Sequence, residues 1–148
     1  MTVLTGPGEG PSFSYANRPM HILAGHDNQP AGFAAMEITI PAGFAGPVPH
    51  AHDEFDEAIF VLTGRLQVFG DAEPREAIPG SMFVAPRGHR HGFRNPFAGE
   101  ARVLGIWAPA APAIAFMRDI GAALDPDVPP DPQRMREIYA RHASRLLP

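Results

Sequence analysis

Seven histidines occur in the chain of 148 residues, and four of them fall in two tight pairs, His50-x-His52 and His89-x-His91. On a strand, side chains two residues apart point the same way, roughly 6.5–7 Å apart along the backbone. Imidazoles spaced like His50 and His52 can therefore reach one ion. An acidic run follows, Asp53-Glu54-Phe55-Asp56-Glu57. The offset from His52 to Glu57 is odd, so on one continuous strand the carboxylate would face the opposite way. It converges on the histidines only if residues 53–56 turn or bulge and Glu57 starts the next strand. His91 has to arrive from a third strand, beyond the Pro86-Arg87-Gly88 turn. Three imidazoles and one carboxylate make a mixed nitrogen and oxygen donor set. Such a set suits one divalent Fe, Mn, Ni, Cu or Zn ion per chain and leaves positions open for water, oxygen or substrate. A His-x-His taken alone is weak evidence, because surface and core histidines account for most such pairs. His89 shares the parity of His91 and is a candidate acid, base or alternative ligand at the same mouth, against the plainer reading of a partly exposed turn residue.

Bringing side chains together from separate segments asks for many short strands, and the composition agrees. The chain has 15 Gly and 18 Pro, about a fifth of its residues, and both break helices. Strands are expected at 33–40, ending at Pro41-Ala42-Gly43, and in two runs within 57–69 broken at Thr63-Gly64. Others are expected at 81–85, 89–94 and 101–108. Turn signals every 8–12 residues or so point to a sandwich or barrel. Residues 57–62 are apolar on both parities, with Ile59 and Val61 on one face and Ala58, Phe60 and Leu62 on the other. Such a strand must be covered on both sides. One face fills a barrel, and the other meets a second sheet, a helix or another subunit, so a homodimer is expected. Phe60, Phe69, Phe83, Phe93 and Trp107 are assigned mainly to the barrel core, and Met36, Met82 and Met117 fill gaps in it.

The end of the chain changes character. Pro112 opens a helical pattern carrying Ile114, Met117, Ile120 and Leu124, and a Pro-rich connector spans 125–132. Asp131 then reads as an N-cap with Pro132 at the first helical position. Met135, Ile138, Tyr139 and His142 form one stripe at helical spacing. The expected layout is one domain: an N-terminal arm or edge strand over 1–20, a barrel over 21–110, and a helical segment over 111–148 packed on the barrel.

Several classes are excluded. There is no cysteine, so thiolate catalysis, thiolate zinc sites and Fe–S clusters drop out. All 12 basic residues are scattered arginines against 16 acids, which gives no stripe for a phosphate backbone, and no nucleic-acid partner is expected. No apolar run approaches the roughly 18 residues of a membrane span, and the first residues lack the pattern of a secretion signal. A cytoplasmic location is expected. Phosphate-binding Gly loops, GxSxG elbows and HExxH are absent from the sequence.

The spacing of the chemical residues resembles that of the cupin superfamily. The first cupin motif is matched by His50-Ala51-His52, four residues, Glu57, six residues and Gly64. The second is matched by Gly80, Pro86, Gly88, His91 and Asn95 at every spacing. One departure exists: Phe44 stands where the first motif begins with Gly, and Gly43 lies one residue earlier. The resemblance implies an all-β fold, a cupin-type antiparallel β-barrel or jelly roll, here with two short C-terminal helices. It also implies His50, His52, Glu57 and His91 as metal ligands in the barrel mouth. The flanks are similar in texture to small bacterial proteins of quercetin 2,3-dioxygenase-like type. That likeness implies a metal-dependent enzyme acting on a small aromatic or enolisable substrate, whose enolic or phenolic oxygen binds at the ion while Glu57 serves as ligand and general base. A non-oxidative cyclase or isomerase resembling polyketide cyclases shares the same ligands, and a non-catalytic small-molecule-binding cupin is the reading from outside enzymology.

Overall fold

The computed structural model of the chain describes residues 2–27 and 30–147. Eleven strands and two helices are present among them: β1 (Ser12–Tyr15), β2 (Arg18–Ala24), β3 (Ala34–Ile40), β4 (His50–His52), β5 (Asp56–Thr63), β6 (Leu66–Phe69), β7 (Arg75–Ala77), β8 (Met82–Ala85), β9 (Gly92–Arg94), β10 (Ala101–Ala108), α1 (Ala110–Ala123), α2 (Pro132–Arg141) and β11 (Ser144–Leu146). A six-stranded sheet runs β1-β2-β3-β10-β5-β8, a three-stranded sheet runs β7-β6-β9, and β11 pairs with β4. Every pairing is antiparallel. His50 and His91 exchange two backbone hydrogen bonds of 3.0 and 2.8 Å, which tie β4 to the segment entering β9. The result is the antiparallel barrel or jelly roll expected from the sequence.

The barrel interior follows from strict alternation. In β3, Ala34, Met36, Ile38 and Ile40 point inward; in β10, Ala101, Val103, Gly105 and Trp107 do so, and in β5, Glu57, Ile59 and Val61. Burying each large aliphatic contributes about 1.5–3 kcal/mol, so the period of two locks the register of the sheet. Two glycines have jobs no other residue could fill. Gly64 turns the β5–β6 corner at φ +76°, where an added Cβ would run into the carbonyl oxygen of Glu100. Gly105 lies beneath the indole of Trp107, which would collide with any side chain there.

Both helices lie close to the expected ranges, and α1 begins two residues before Pro112. Asp131 caps α2, its carboxylate accepting from the backbone N–H groups of Gln133 at 2.9 Å and Arg134 at 3.4 Å. The stripe of α2 does not run on through His142. That residue is the C-cap, and Ala143 at φ +48° reverses the chain into β11, a strand absent from the sequence reading. Residues expected in the core bring further corrections. Phe69 of β6 and Phe83, which pairs with the inward Ile59, are only half-buried. On the outer face of the large sheet Phe60 is half-buried, and Met82, expected in the core, is 55% exposed. None of the helices among the described residues is long and apolar enough to cross a membrane.

Candidate metal centre

Residues 53–55 break the chain between β4 and β5, so Glu57 stands second on a new strand and turns inward. His50 and His52 come from β4, and His91 from the segment before β9 that bridges to His50. The structure thereby brings together His50, His52, Glu57 and His91, all buried, with one donor atom from each lying within 4.8 Å of the others. His89 is not among them. Its side chain is exposed in the turn, and only its backbone carbonyl serves the cluster.

Each imidazole is oriented by a partner on its Nδ1. His50 donates to the carbonyl of Val48 at 2.8 Å, His91 to the carbonyl of His89 at 3.0 Å, and His52 to the hydroxyl oxygen of Ser144 at 2.7 Å. Carbonyl oxygens only accept, so the protons of His50 and His91 sit on Nδ1 and their Nε2 lone pairs remain. The buried Nε2 atoms of His52 and His91 have no hydrogen-bond partner. They approach Glu57 Oε2 at 3.5 and 3.6 Å, an electrostatic contact too long for a good hydrogen bond. Buried acceptors without donors are costly, and a cation would satisfy both. Ligands around a first-row ion sit about 2.0–2.2 Å from it, hence within roughly 4.4 Å of each other. The observed spread needs only a small contraction, so these residues fit a metal ion.

The electrostatics agree. Burial pushes His50 down to about 3, helped by the neighbouring His91 and His52, so it stays neutral. Burial also lowers His52, against the pull of Glu57. Burial would raise Glu57, but His52 and His91 more than offset it and hold the carboxyl well below its ordinary value. Against its own burial, His91 is raised by Glu57. The metal-free cluster thus keeps its carboxylate charged among the imidazoles, the state that binds a cation.

Trp107, paired in register with Glu57, donates its indole N–H to Oε2 at 2.8 Å. Phe116 from α1 meets the His52 ring edge-on, with centroids 4.7 Å apart, and Tyr139 from α2 meets His50 the same way at 5.1 Å. A cavity of about 20 Å³ lies among His50, Glu57, Trp107, Tyr15, Phe116 and Tyr139, room for roughly one water. Burial and the charge of nearby groups raise both Tyr15 and Tyr139, so their phenols keep their protons.

Other motif residues brace this arrangement. Asn95 is fully buried and donates to the carbonyls of Ile40 and Gly99. Asp56 takes a bidentate pair from Arg87, and Asp53 takes one from Arg145 of β11. Trp107 and Ser144 are the contacts that sequence reasoning missed. Strand register would have revealed Trp107; nothing in the sequence marks Ser144.

An antiparallel barrel with three imidazoles and a carboxylate converging in its mouth defines a class of small metal-site barrels. Residues 36–107 match the Cupin domain family, and the barrel is that of a small cupin. A curated relative, Endoribonuclease YbeY of Myxococcus xanthus (strain DK1622), is 31% identical over 85 residues, 57% of this chain. The match spans only 28% of that protein's length. Among solved structures, KdgF from Halomonas sp. superposes with a TM-score of 0.63 at 23% identity, covering 74% of this chain and 94% of that one. The polyketide cyclase RemF from Streptomyces resistomycificus gives 0.60 at 21%, covering 73% and 80%. At these identities the likeness is one of fold.

Proposed function

We propose that this chain is a metal-dependent enzyme acting on a small apolar or aromatic substrate able to form an enolate or phenolate, with a quercetinase-like dioxygenase as the first reading. The observation that carries it is the donor set, of which His50 and Glu57 open onto a cavity walled by Trp107, Phe116, Phe93 and aliphatic side chains. His50, His52, Glu57 and His91 would hold the ion, and the ion would supply Lewis-acid stabilisation of a substrate oxyanion. Glu57, ionised at neutral pH, is the group able to take the substrate proton. Its contacts with Trp107, His52 and His91 all go to Oε2, which leaves Oε1 for that task. The apolar wall excludes water and strengthens every charge interaction within. Because the cavity holds about one water, substrate entry needs the helical elements bearing Phe116 and Tyr139 to shift.

Oxygen uptake by metal-replete protein with a flavonol or related enolisable aromatic tests the reading. Turnover under strict anaerobiosis would overturn the dioxygenase and favour a cyclase or isomerase. The buried, protonated Tyr15 and Tyr139 favour that second reading, since they could return a proton to a substrate without any oxidant. A ligand recovered unchanged after long incubation would instead mark a binding protein. The ribonuclease activity named for the Myxococcus relative is not carried over, because most of that protein has no counterpart here.

A homodimer through the outer face of the large sheet belongs to the same proposal. In register across that face stand Phe60 beside Leu104 and Met82, and Ala58 beside Ile106 and Val84. Met82 and Val84 are more than half exposed. A contiguous apolar face of this kind marks an interaction surface, and a two-fold interface uses one patch on both copies.

A further inference from the structure

We infer that Ser144, on the terminal strand β11 and far in sequence from the residues that converge on the centre, is a positioning residue of that centre. The inference rests on the metal reading above. β11 pairs antiparallel with β4, the strand that carries two of the imidazoles, and sets Ser144 directly opposite His52. The pair is buried, and Ser144 Oγ lies 2.7 Å from His52 Nδ1. The same hydroxyl donates to the carbonyl of His142 at 3.2 Å.

Those two bonds can be made together in only one direction. A carbonyl has no proton to give, so the hydroxyl proton of Ser144 goes to His142. The Ser144 oxygen must then accept, and the proton it accepts is that of His52 Nδ1. His52 is thereby held as the Nδ1–H tautomer, its Nε2 lone pair turned toward Glu57 and the other imidazoles. His50 and His91 obtain the same result from backbone carbonyls, which no substitution of those partners' side chains removes. His52 alone depends on a side chain. Its orientation is also tied to the end of the chain, because Arg145, next to Ser144, clamps Asp53, next to His52, at 3.0–3.3 Å.

The test uses the full chain, freed of metal, titrated with Ni(II) or Mn(II) by calorimetry. Ser144→Ala is expected to weaken affinity by about 10–100-fold, while Ser144→Thr, which keeps the hydroxyl, stays within a few-fold of wild type. Arg145→Ala, which loosens the strand without touching the His52 bond, is expected to lose far less. Long-range ¹H–¹⁵N spectra of the metal-free protein should show His52 as the Nδ1–H tautomer in wild type and as a mixture in Ser144→Ala. Wild-type affinity in Ser144→Ala would overturn the inference. So would an equal loss in Arg145→Ala at an unchanged melting temperature, because the strand alone would then explain the effect. A wild-type chain that takes up neither ion would sink the metal reading itself, and this inference with it.

Discussion

The two faces of β5 reverse the ordinary distribution of polarity. The inward face buries Glu57 at 5% exposure beside Ile59 and Val61, while the outward face leaves Ala58, Phe60 and Leu62 half-exposed. A charge lies inside and an apolar row lies outside on the same eight residues. Each reversal is unfavourable unless something compensates it. Inside, compensation is visible: Trp107 donates a hydrogen bond and two imidazoles approach the carboxylate. Outside, the homodimer proposed above would supply it. Local departures of this kind mark places where function, not folding, selected the residue.

The largest effect is expected on the inner face. His91→Ala removes one of the four donors and should drop bound first-row metal from near one per chain to background, read by elemental analysis of protein purified without chelator. Full metal content in that variant would dissolve the contrast, because the buried cluster would then be only a polar network.

Acid should act next. Burial lowers His50 from 6.5 in the unfolded chain to about 3 when folded. Between those values the unfolded chain binds a proton that the folded one refuses, so stability falls with acid by about 1.4 kcal/mol per pH unit. His52 is lowered and acts in the same sense. His91 is raised and opposes them, since its contribution is present below 6.5 and lost as pH rises through its folded value. The contribution of Glu57, held low, is present above the ordinary carboxylate range and lost only as pH falls through its folded value. Melting curves of chelator-treated protein should therefore drop steadily from pH 6.5 to 4.5. Rising stability toward acid would contradict the burial of neutral imidazoles.

On the outer face, Phe60→Glu is expected to halve the mass found by light scattering, with bound metal unchanged. A wild-type chain already monomeric at tens of micromolar would remove the dimer from the comparison. Met82→Ser should give the smallest change, a dimer weakened by about tenfold and a monomer stability altered by less than about 0.5 kcal/mol. A large loss of stability there would mean that the side chain is packed within its own chain.

Much of the barrel was legible because short-range chemistry encodes it. The strand at 34–40 was readable from its apolar run and the proline that stops it, and the cap at Asp131 from its position before Pro132. The break that lets Glu57 converge could be argued from parity alone. Other features were hidden because they depend on neighbours distant in sequence. Met82 looks like core until the sheet order puts β8 at an edge. The helical stripe of α2 gave no warning that Ala143 would reverse the chain, and β11 forms only because β4 offers an unpaired edge.

Residue spacing by itself pointed to a sandwich or barrel, and its resemblance to the cupin motifs implied which imidazoles and carboxylate meet, because turn residues and strand parity act over a few positions. Only the tertiary structure decided how those groups are held. Trp107 on Glu57 is a matter of register between strands, and Ser144 on His52 joins residues 92 positions apart. Hydrogen bonds at that separation leave no local pattern, since they exist only once the barrel has closed.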